Sequence, residues 1–558
     1  TGDPQSVERG HRILAKYGVS VGFYSLSMAL LALSEVPELF EAEQLDRFRA
    51  TLDAAKFVDG ETIIAGRNNN IPLGTWLIRV VYSVRQKDEE ALQQCIGALE
   101  QLTDLVAAHG ELPEYNSPTY APLSLMYLQG MCLAGDDRIT ALASKLVEHL
   151  LANVAWRWHP RLGLPCGPWG RAYHDSLIGP SGMLHTLGDL LWGGFYDPSV
   201  SYPPVFHAHD YPLSPLLLLL ARSIPYDFRE IAIEKKLPLT VKSSAEQVMV
   251  KMGKGPYLTW IPGGIADLTT WMDANTAVGT ATRSHLHGMQ SAVYVAQWSR
   301  TGEPVSAVDD LGQAFTKFVQ NGRRPLDSVS RHRNHHFGNT HLWGPSSWAE
   351  DGRPFGLQSG STAVVLYVPK EQERWYVSRL EMFVALPRLA RVDEVLVDGK
   401  PVDEYEGGAD GVVVIRSGHA ALGLRFVACN PSLTSPTLVI EHCRDHLLVG
   451  LRLFNSDTEQ ELSAGDYRRY GGSIGTCLRY VPERRQYEAF VEEMRQSQLT
   501  DMWEMAAFGG PREVSFRMPS CELYGRFDPI SETWLRKRVP DAPGYEHYTR
   551  WGENTSLS

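Results

Sequence analysis

The hydrophobic period of this chain changes once, near residue 237, from the three- and four-residue spacing of helices to the short apolar runs of strands. Before that point, segments near 8–34, 43–58, 73–84, 88–109, 121–134, 136–152, 176–193 and 212–235 carry one apolar face each, as Ile139, Leu142, Leu146 and Leu150 do. After it come Val248–Met252, Tyr257–Trp260, Ser291–Ala296, Ala363–Val368, Val412–Arg416 and Leu447–Leu451, bounded by Gly, Pro, Asn or Asp. Helices followed by strands imply an α+β or multidomain chain rather than a doubly wound sheet. Short connections make neighbouring helices antiparallel hairpins, and such hairpins can close into an (α/α) toroid whose loops line a cavity at one end. The expected fold class is therefore α+β multidomain. An N-terminal (α/α) toroid occupies 1–236 and a C-terminal antiparallel β-sandwich 237–558, with helices inserted near 305–320 and 486–497 and a loosely held polar stretch from about Pro540.

At 558 residues the chain is long for one core. A formal charge of -12 argues against a nucleic-acid surface, which needs a basic face. Seven cysteines lie singly at 95, 132, 166, 429, 443, 477 and 521, without the paired spacing of a disulfide framework or a zinc motif. The apolar patch Leu216–Leu220 is far too short to span a bilayer, so no membrane partner is expected. No signal peptide opens the sequence, and the one glycosylation sequon is Asn554-Thr555-Ser556. The compartment stays open between secreted or periplasmic, with a leader removed, and cytoplasmic; nothing sets the oligomeric state.

Polar residues collect in the connections. Glu111-Leu112-Pro113-Glu114-Tyr115-Asn116-Ser117-Pro118-Thr119-Tyr120 joins two helical runs, the first ending at Gly110, which suits the left-handed position past a helix end. Arg67-Asn68-Asn69-Asn70 precedes another helix, Gly167-Pro168-Trp169-Gly170-Arg171-Ala172-Tyr173-His174-Asp175 a third, and His207-Ala208-His209-Asp210-Tyr211-Pro212 a fourth. Four loops at comparable hairpin positions, each with Asn, His, Tyr or Arg, suggest a shared cleft. Each also has a plainer reading as an Asx turn, a helix cap or a staple. In the strand-rich part, Gly279 to Gln290 includes Arg283 and His287, which would line a groove if that edge faced the toroid. Arg331-His332-Arg333-Asn334-His335-His336, with His341, lacks carboxylates and metal-ligand spacing, so no metal and no cofactor is assigned.

A helical-hairpin toroid followed by a large antiparallel β domain, with Asn, His, Tyr and Arg on the toroid loops, resembles the metal-independent polysaccharide lyases of the α/α-toroid type, including heparinase II/III-like and alginate or glucuronan lyases. The resemblance implies an acidic, uronate-containing glycan as partner and β-elimination as the reaction. In that chemistry an amide meets the uronate carboxylate, stabilising the enolate-like state, while His or Tyr moves protons. Carried onto this sequence, the pattern makes Asn116 the neutralising amide, His174 a base or second neutraliser, Tyr211 the general acid with Tyr173 its rival, and Arg283 one of several candidate arginines. Asn69, Asn70, Glu114, Tyr120, Arg171, His209, His287 and Trp169 would contact substrate, and Trp156, Trp158 and Trp192 could stack on sugar rings.

Two other functions fit the same residues. A glycoside hydrolase needs two carboxylates flanking the bond, which Glu114 with Asp175 or Asp210 could supply. A non-catalytic glycan-binding protein would use the aromatic loops to hold sugar alone.

Overall fold

The computed structural model describes residues 8, 21–60, 62, 68–171, 182–194, 214–252, 258–285, 292–322, 350–369, 375–387, 391–430, 435–443, 446–504, 509–553 and 555–556. Helices come first: α1 (Phe23–Glu35), α2 (Ala42–Asp53), α3 (Asn70–Gln86), α4 (Glu89–His109), α5 (Tyr120–Cys132), α6 (Asp137–Arg157), α7 (Met183–Trp192) and α8 (Ser214–Ser223). Asp88 and Asp136 cap α4 and α6 by accepting backbone N–H groups of the first turn. Gly110 ends α4 at φ 85, the left-handed closure expected of it. Helix α5 is buried on nearly every side, which is why its apolar run shows no polar face.

Strands follow. A ten-stranded sheet runs Tyr405–Gly408, Thr437–Cys443, His446–Leu462, Trp375–Pro387, Leu311–Gln320, Tyr294–Ser299, Thr276–Ala281, Leu258–Met272, Leu239–Met252 and Tyr545–Tyr548. A seven-stranded sheet shares a core with it, Met382 and Val384 from the first lying in one buried cluster with Leu422 and Leu424 from the second. A four-stranded sheet then covers the second sheet's other face through Phe516, Leu523 and Phe527, with the helix Arg484–Arg495 adding Tyr487, Phe490 and Met494 to that layer. All three sheets are open arrays.

The helical core does not stop at the change of period. Its cluster takes in Leu239, Val241, Met272 and Ala277 from the ten-stranded sheet. Three expectations are corrected here. The segment expected as a helix at 305–320 is the strand Leu311–Gln320 after a short 3-10 turn, and all ten strand residues are buried, so no exposed face marks its two-residue period. The run expected as one helix at 212–235 is α8 followed by coil and a π-helical turn at Glu230–Glu234. The stretch after Pro540 is not loosely held: Tyr545–Tyr548 pairs with the edge of Leu239–Met252 in the one parallel ladder among the described strands. His547 stacks on Trp156 at 3.7 Å, Trp551 lies 5.0 Å from the His149 ring, and Lys242 pairs with Glu546 at 2.7 Å.

This final strand therefore ties α6 to the sheet edge. Trp551→Ala is expected to cost roughly 1–2 kcal/mol, less than the full burial of so large a ring, and removal of residues 540–558 to cost more. Denaturant unfolding of the full chain measures both; a truncated chain as stable as the parent would show that the strand ties nothing.

Candidate active site

Three loops far apart in sequence meet at the first turn of α3. Its backbone N–H groups at Asn69 and Asn70 have no partner within the helix, as at any helix start. Both donate to Oε2 of Glu114, at 2.8 and 2.9 Å, from a loop some 45 residues on. Asn69 returns the bond by accepting the Glu114 N–H on its side-chain oxygen at 3.3 Å. The other carboxylate oxygen accepts from Arg171, whose Nη1 also donates to the Asn70 side chain at 2.6 Å. Glu114 is 2% exposed and Arg171 7%. A buried carboxylate is tolerable because a helix N-terminus and a guanidinium meet it together.

Arg171 reaches that position through the short hairpin Trp158–His159 with Leu164–Pro165, which sequence periodicity did not reveal, and the loop Cys166–Arg171 that follows. Backbone and hydroxyl bonds to three neighbouring stretches help hold this loop. Trp169 exchanges two backbone bonds of 3.0 Å with Ala292, the Gly170 N–H donates to the Tyr115 carbonyl at 2.9 Å, and the Ser117 hydroxyl donates to the Arg171 carbonyl at 2.9 Å. Gly167, at φ 115, lies so close to Gly279 that a side chain at Gly279 would collide with the Gly167 backbone. The Arg171 guanidinium sits 3.8 Å over the Tyr120 ring. Asn116 and Arg171 both take positive φ, 46 and 58, a backbone strain that neighbouring contacts must hold.

Several sequence expectations are placed differently by these contacts. The amide nitrogen of Asn116 donates to the carbonyls of Cys166 and Pro168, at 3.0 and 3.3 Å, so both its hydrogens are engaged. Its side-chain oxygen is buried with no hydrogen-bond partner among the described residues. Arg283 is not part of this group. It donates to the carbonyls of Ser531 and Glu532, at 3.2 and 2.5 Å, behind the Arg353–Glu532 ion pair. Trp169 is 3% exposed and packs on Ala292 and Val295, and Trp156, Trp158 and Trp192 are also buried, so none presents an open ring to a sugar. Tyr173, His174, Tyr211, His209 and His287, with Asp175, Asp210 and the 331–341 histidines, lie outside the described residues.

A residue without an assigned role in the Gly279–Gln290 stretch, His285, also lies against this group. His285 is fully buried, and its Nδ1 lies 3.1 Å from Oε1 of Gln247. The Gln247 amide nitrogen donates to the Pro113 carbonyl at 3.1 Å, which turns its oxygen toward the imidazole. An oxygen can only accept, so the proton sits on Nδ1 and Nε2 keeps a bare lone pair. That nitrogen has no hydrogen-bond partner among the described residues. Burial, and then the Arg171 charge, push its pKa down to about 3 against the raising influence of the Pro113 backbone, so the ring is neutral across the physiological range. The sequence signal was present, a polar residue at the end of a small-residue strand, but its pairing partner Gln247 lies 38 positions away.

Comparison with known proteins adds little chemistry. A family model described as a domain of unknown function (DUF8769) matches residues 28–222. No curated protein matches the sequence. Among solved structures, heparinase III is similar at 10% identity, over 95% of this chain and 80% of that one, with a TM-score of 0.37. The Streptomyces coelicolor A3 chondroitin AC lyase is similar at 12% identity, over 95% and 77%, at 0.38. The heparan sulfate lyase HepC from Pedobacter heparinus is similar at 8% identity, over 90% and 74%, at 0.35. At these scores the overlap assigns neither reaction nor residue roles.

Buried imidazoles, His159 and His285 furthest shifted among the described residues, set an acid limit on the fold. His159 accepts the N–H groups of Arg161 and Leu162 on Nδ1 and meets the Asp273 carbonyl with Nε2, and burial holds its pKa down to about 3, as in His285. Both folded values lie below the ordinary 6.5. The unfolded chain therefore binds these protons first, and stability present above pH 6.5 is lost as pH falls toward 3. Unfolding midpoints measured between pH 7 and 4 should fall with pH, and His159→Gln should flatten the slope. A slope unchanged in that variant would contradict a neutral, buried His159.

Proposed function

We propose that this chain is a polysaccharide lyase that cleaves a uronate-containing glycan by β-elimination, with the helices as an (α/α) toroid over 1–236 and the sheets as a sandwich domain over 237–558. The observation that carries the reading is the buried, neutral His285, its Nε2 without a partner among the described residues, linked through Gln247 to the loop that carries Glu114 and Asn116 and that meets Arg171. A β-elimination needs an uncharged or anionic proton acceptor, and this imidazole is uncharged. The base takes the proton beside the sugar carboxylate, the electron pair forms a carbon–carbon double bond, and the bond to the 4-oxygen breaks as that oxygen gains a proton.

In this reading His285 is a base from the sheet side, and Tyr173 and His174, two and three residues past Arg171, supply the other proton transfers, with Tyr211 as the alternative acid. Asn116 would meet the substrate carboxylate by turning its amide away from Cys166 and Pro168. Arg171, Asn69, Asn70 and Tyr120 frame that exchange. The hydrolase reading is weaker at one point. A glycosidase acid must hold a proton, and both oxygens of Glu114 already accept from the Asn69 and Asn70 N–H groups and from Arg171. The similar solved structures are heparan sulfate and chondroitin lyases, so those polymers belong in the first substrate panel.

Incubation with heparan sulfate, chondroitin sulfate, alginate and glucuronan should give, for at least one polymer, the ultraviolet absorbance of an unsaturated uronate. His285→Gln and Tyr173→Phe should each lower that rate by about 10²–10⁴, the usual worth of a positioned acid or base. Chain cleavage without the absorbance would replace elimination by hydrolysis, and binding without cleavage would leave a glycan-binding protein.

A further inference from the structure

The four-stranded sheet gives one face to the core and turns the other outward. Phe516, Leu523 and Phe527 are buried. Alternation along the strands therefore sends Glu513 and Arg517, then Glu522, Tyr524 and Arg526, then Arg536 and Arg538 to the opposite face. That face is open: the side chains of Arg517 and Arg538 are 62% exposed and that of Arg526 48%. Four arginines stand there against two glutamates, on a chain whose formal charge is -12. Both carboxylates are already taken. Glu522 accepts from Arg517 and Arg538, each at 3.0 Å, and Glu513 lies 3.7 Å from Arg526. Asp528, at the end of its strand, is drawn into its own turn by the Ile530 N–H at 3.0 Å and the Ser531 hydroxyl at 2.7 Å. Among the described residues no carboxylate pairs with Arg536. One pairing also runs against the stability of the sheet. Arg526 and Arg536 stand directly opposite each other in the antiparallel register, and like charges so placed are destabilising. Local inconsistencies of this kind are expected where function requires them.

We propose that this arginine face binds an acidic glycan chain, as a holding surface apart from the site of elimination; the choice of polymer rests on the lyase reading above. Charge complementarity selects the anion. A carboxylate or sulfate lying over Arg526 and Arg536 relieves their repulsion, and guanidinium forks take such groups two hydrogen bonds at a time. Tyr524 adds a ring to the same face, with the Arg538 guanidinium 5.7 Å over it. The position in the fold selects a long chain. The edge strand Thr533–Arg538 and the turn before it are fastened to the segment that ends at His285. The Trp534 indole N–H donates to the Thr282 carbonyl at 3.4 Å, and Arg283 donates to the Glu532 carbonyl at 2.5 Å. A polymer held on this face is thereby tethered to the element that carries the base, which raises its effective concentration there. A short substrate is not.

The test is calorimetric titration of the full chain, and of its double variant Arg526→Gln with Arg536→Gln, with heparan sulfate and chondroitin sulfate. Neutral dextran, duplex DNA and phosphatidylserine vesicles are the comparison probes. The parent should bind at least one acidic glycan more tightly than any of these three, with an affinity that falls as salt rises. The double variant should bind that glycan about tenfold or more weakly, yet unfold at no lower a temperature, because it loses a repulsion rather than a contact. Its KM on the polymer should rise while its rate on short uronosides stays that of the parent. His285→Gln should do the reverse, keeping polymer binding and losing elimination, which separates failure of this face from failure of the lyase reading. The proposal is overturned if no acidic glycan binds more tightly than dextran, if the double variant binds as the parent does, or if DNA or vesicles bind as tightly as the glycan.

Discussion

The whole site hangs on one buried carboxylate. Glu114 answers the open N–H groups at the start of α3 and the Arg171 guanidinium at once, so three stretches of chain that share no secondary structure are fixed to each other by one side chain. Each component alone would be costly: an unfilled helix start, a desolvated anion and a desolvated cation. Combined, each supplies what the others lack. The strained backbone at Asn116 and Arg171 is affordable only because this group holds both ends of it.

From that anchor the arrangement spreads to the sheet. Pro113, next to Glu114, offers its carbonyl to Gln247, and Gln247 orients His285. A second buried pair lies just beneath: Arg157 bonds Glu111 from α6 and reaches the Ser243 hydroxyl on the sheet at 2.5 Å. The loop between α4 and α5 is thus pinned from the helices and from the strands. The Pro113 carbonyl on the helical side thus orients the Gln247 amide that faces a histidine on the sheet side.

Much of this order could be read before any coordinates. Gly110 ends its helix as its residue type demands, and the Glu111–Tyr120 connection is the crowded polar joint its composition announces. What escaped was whatever depended on partners distant in the chain. Leu311–Gln320 looked helical because burial on both faces erased its period. Asn116 looked like a donor awaiting substrate because nothing in its neighbours tells of the Cys166 and Pro168 carbonyls 50 and 52 residues away. His285 carried only a weak local mark, a polar residue just past a small-residue strand, and its partner Gln247 lies 38 positions away.

The strand Tyr545–Tyr548 has an implication for the order of assembly. It pairs with Leu239–Lys242, the start of the edge strand Leu239–Met252, where unsatisfied amides would otherwise invite pairing with another chain. It is translated after every element it fastens. The Leu239–Lys242 edge therefore stays without this partner until residues 545–548 have been made.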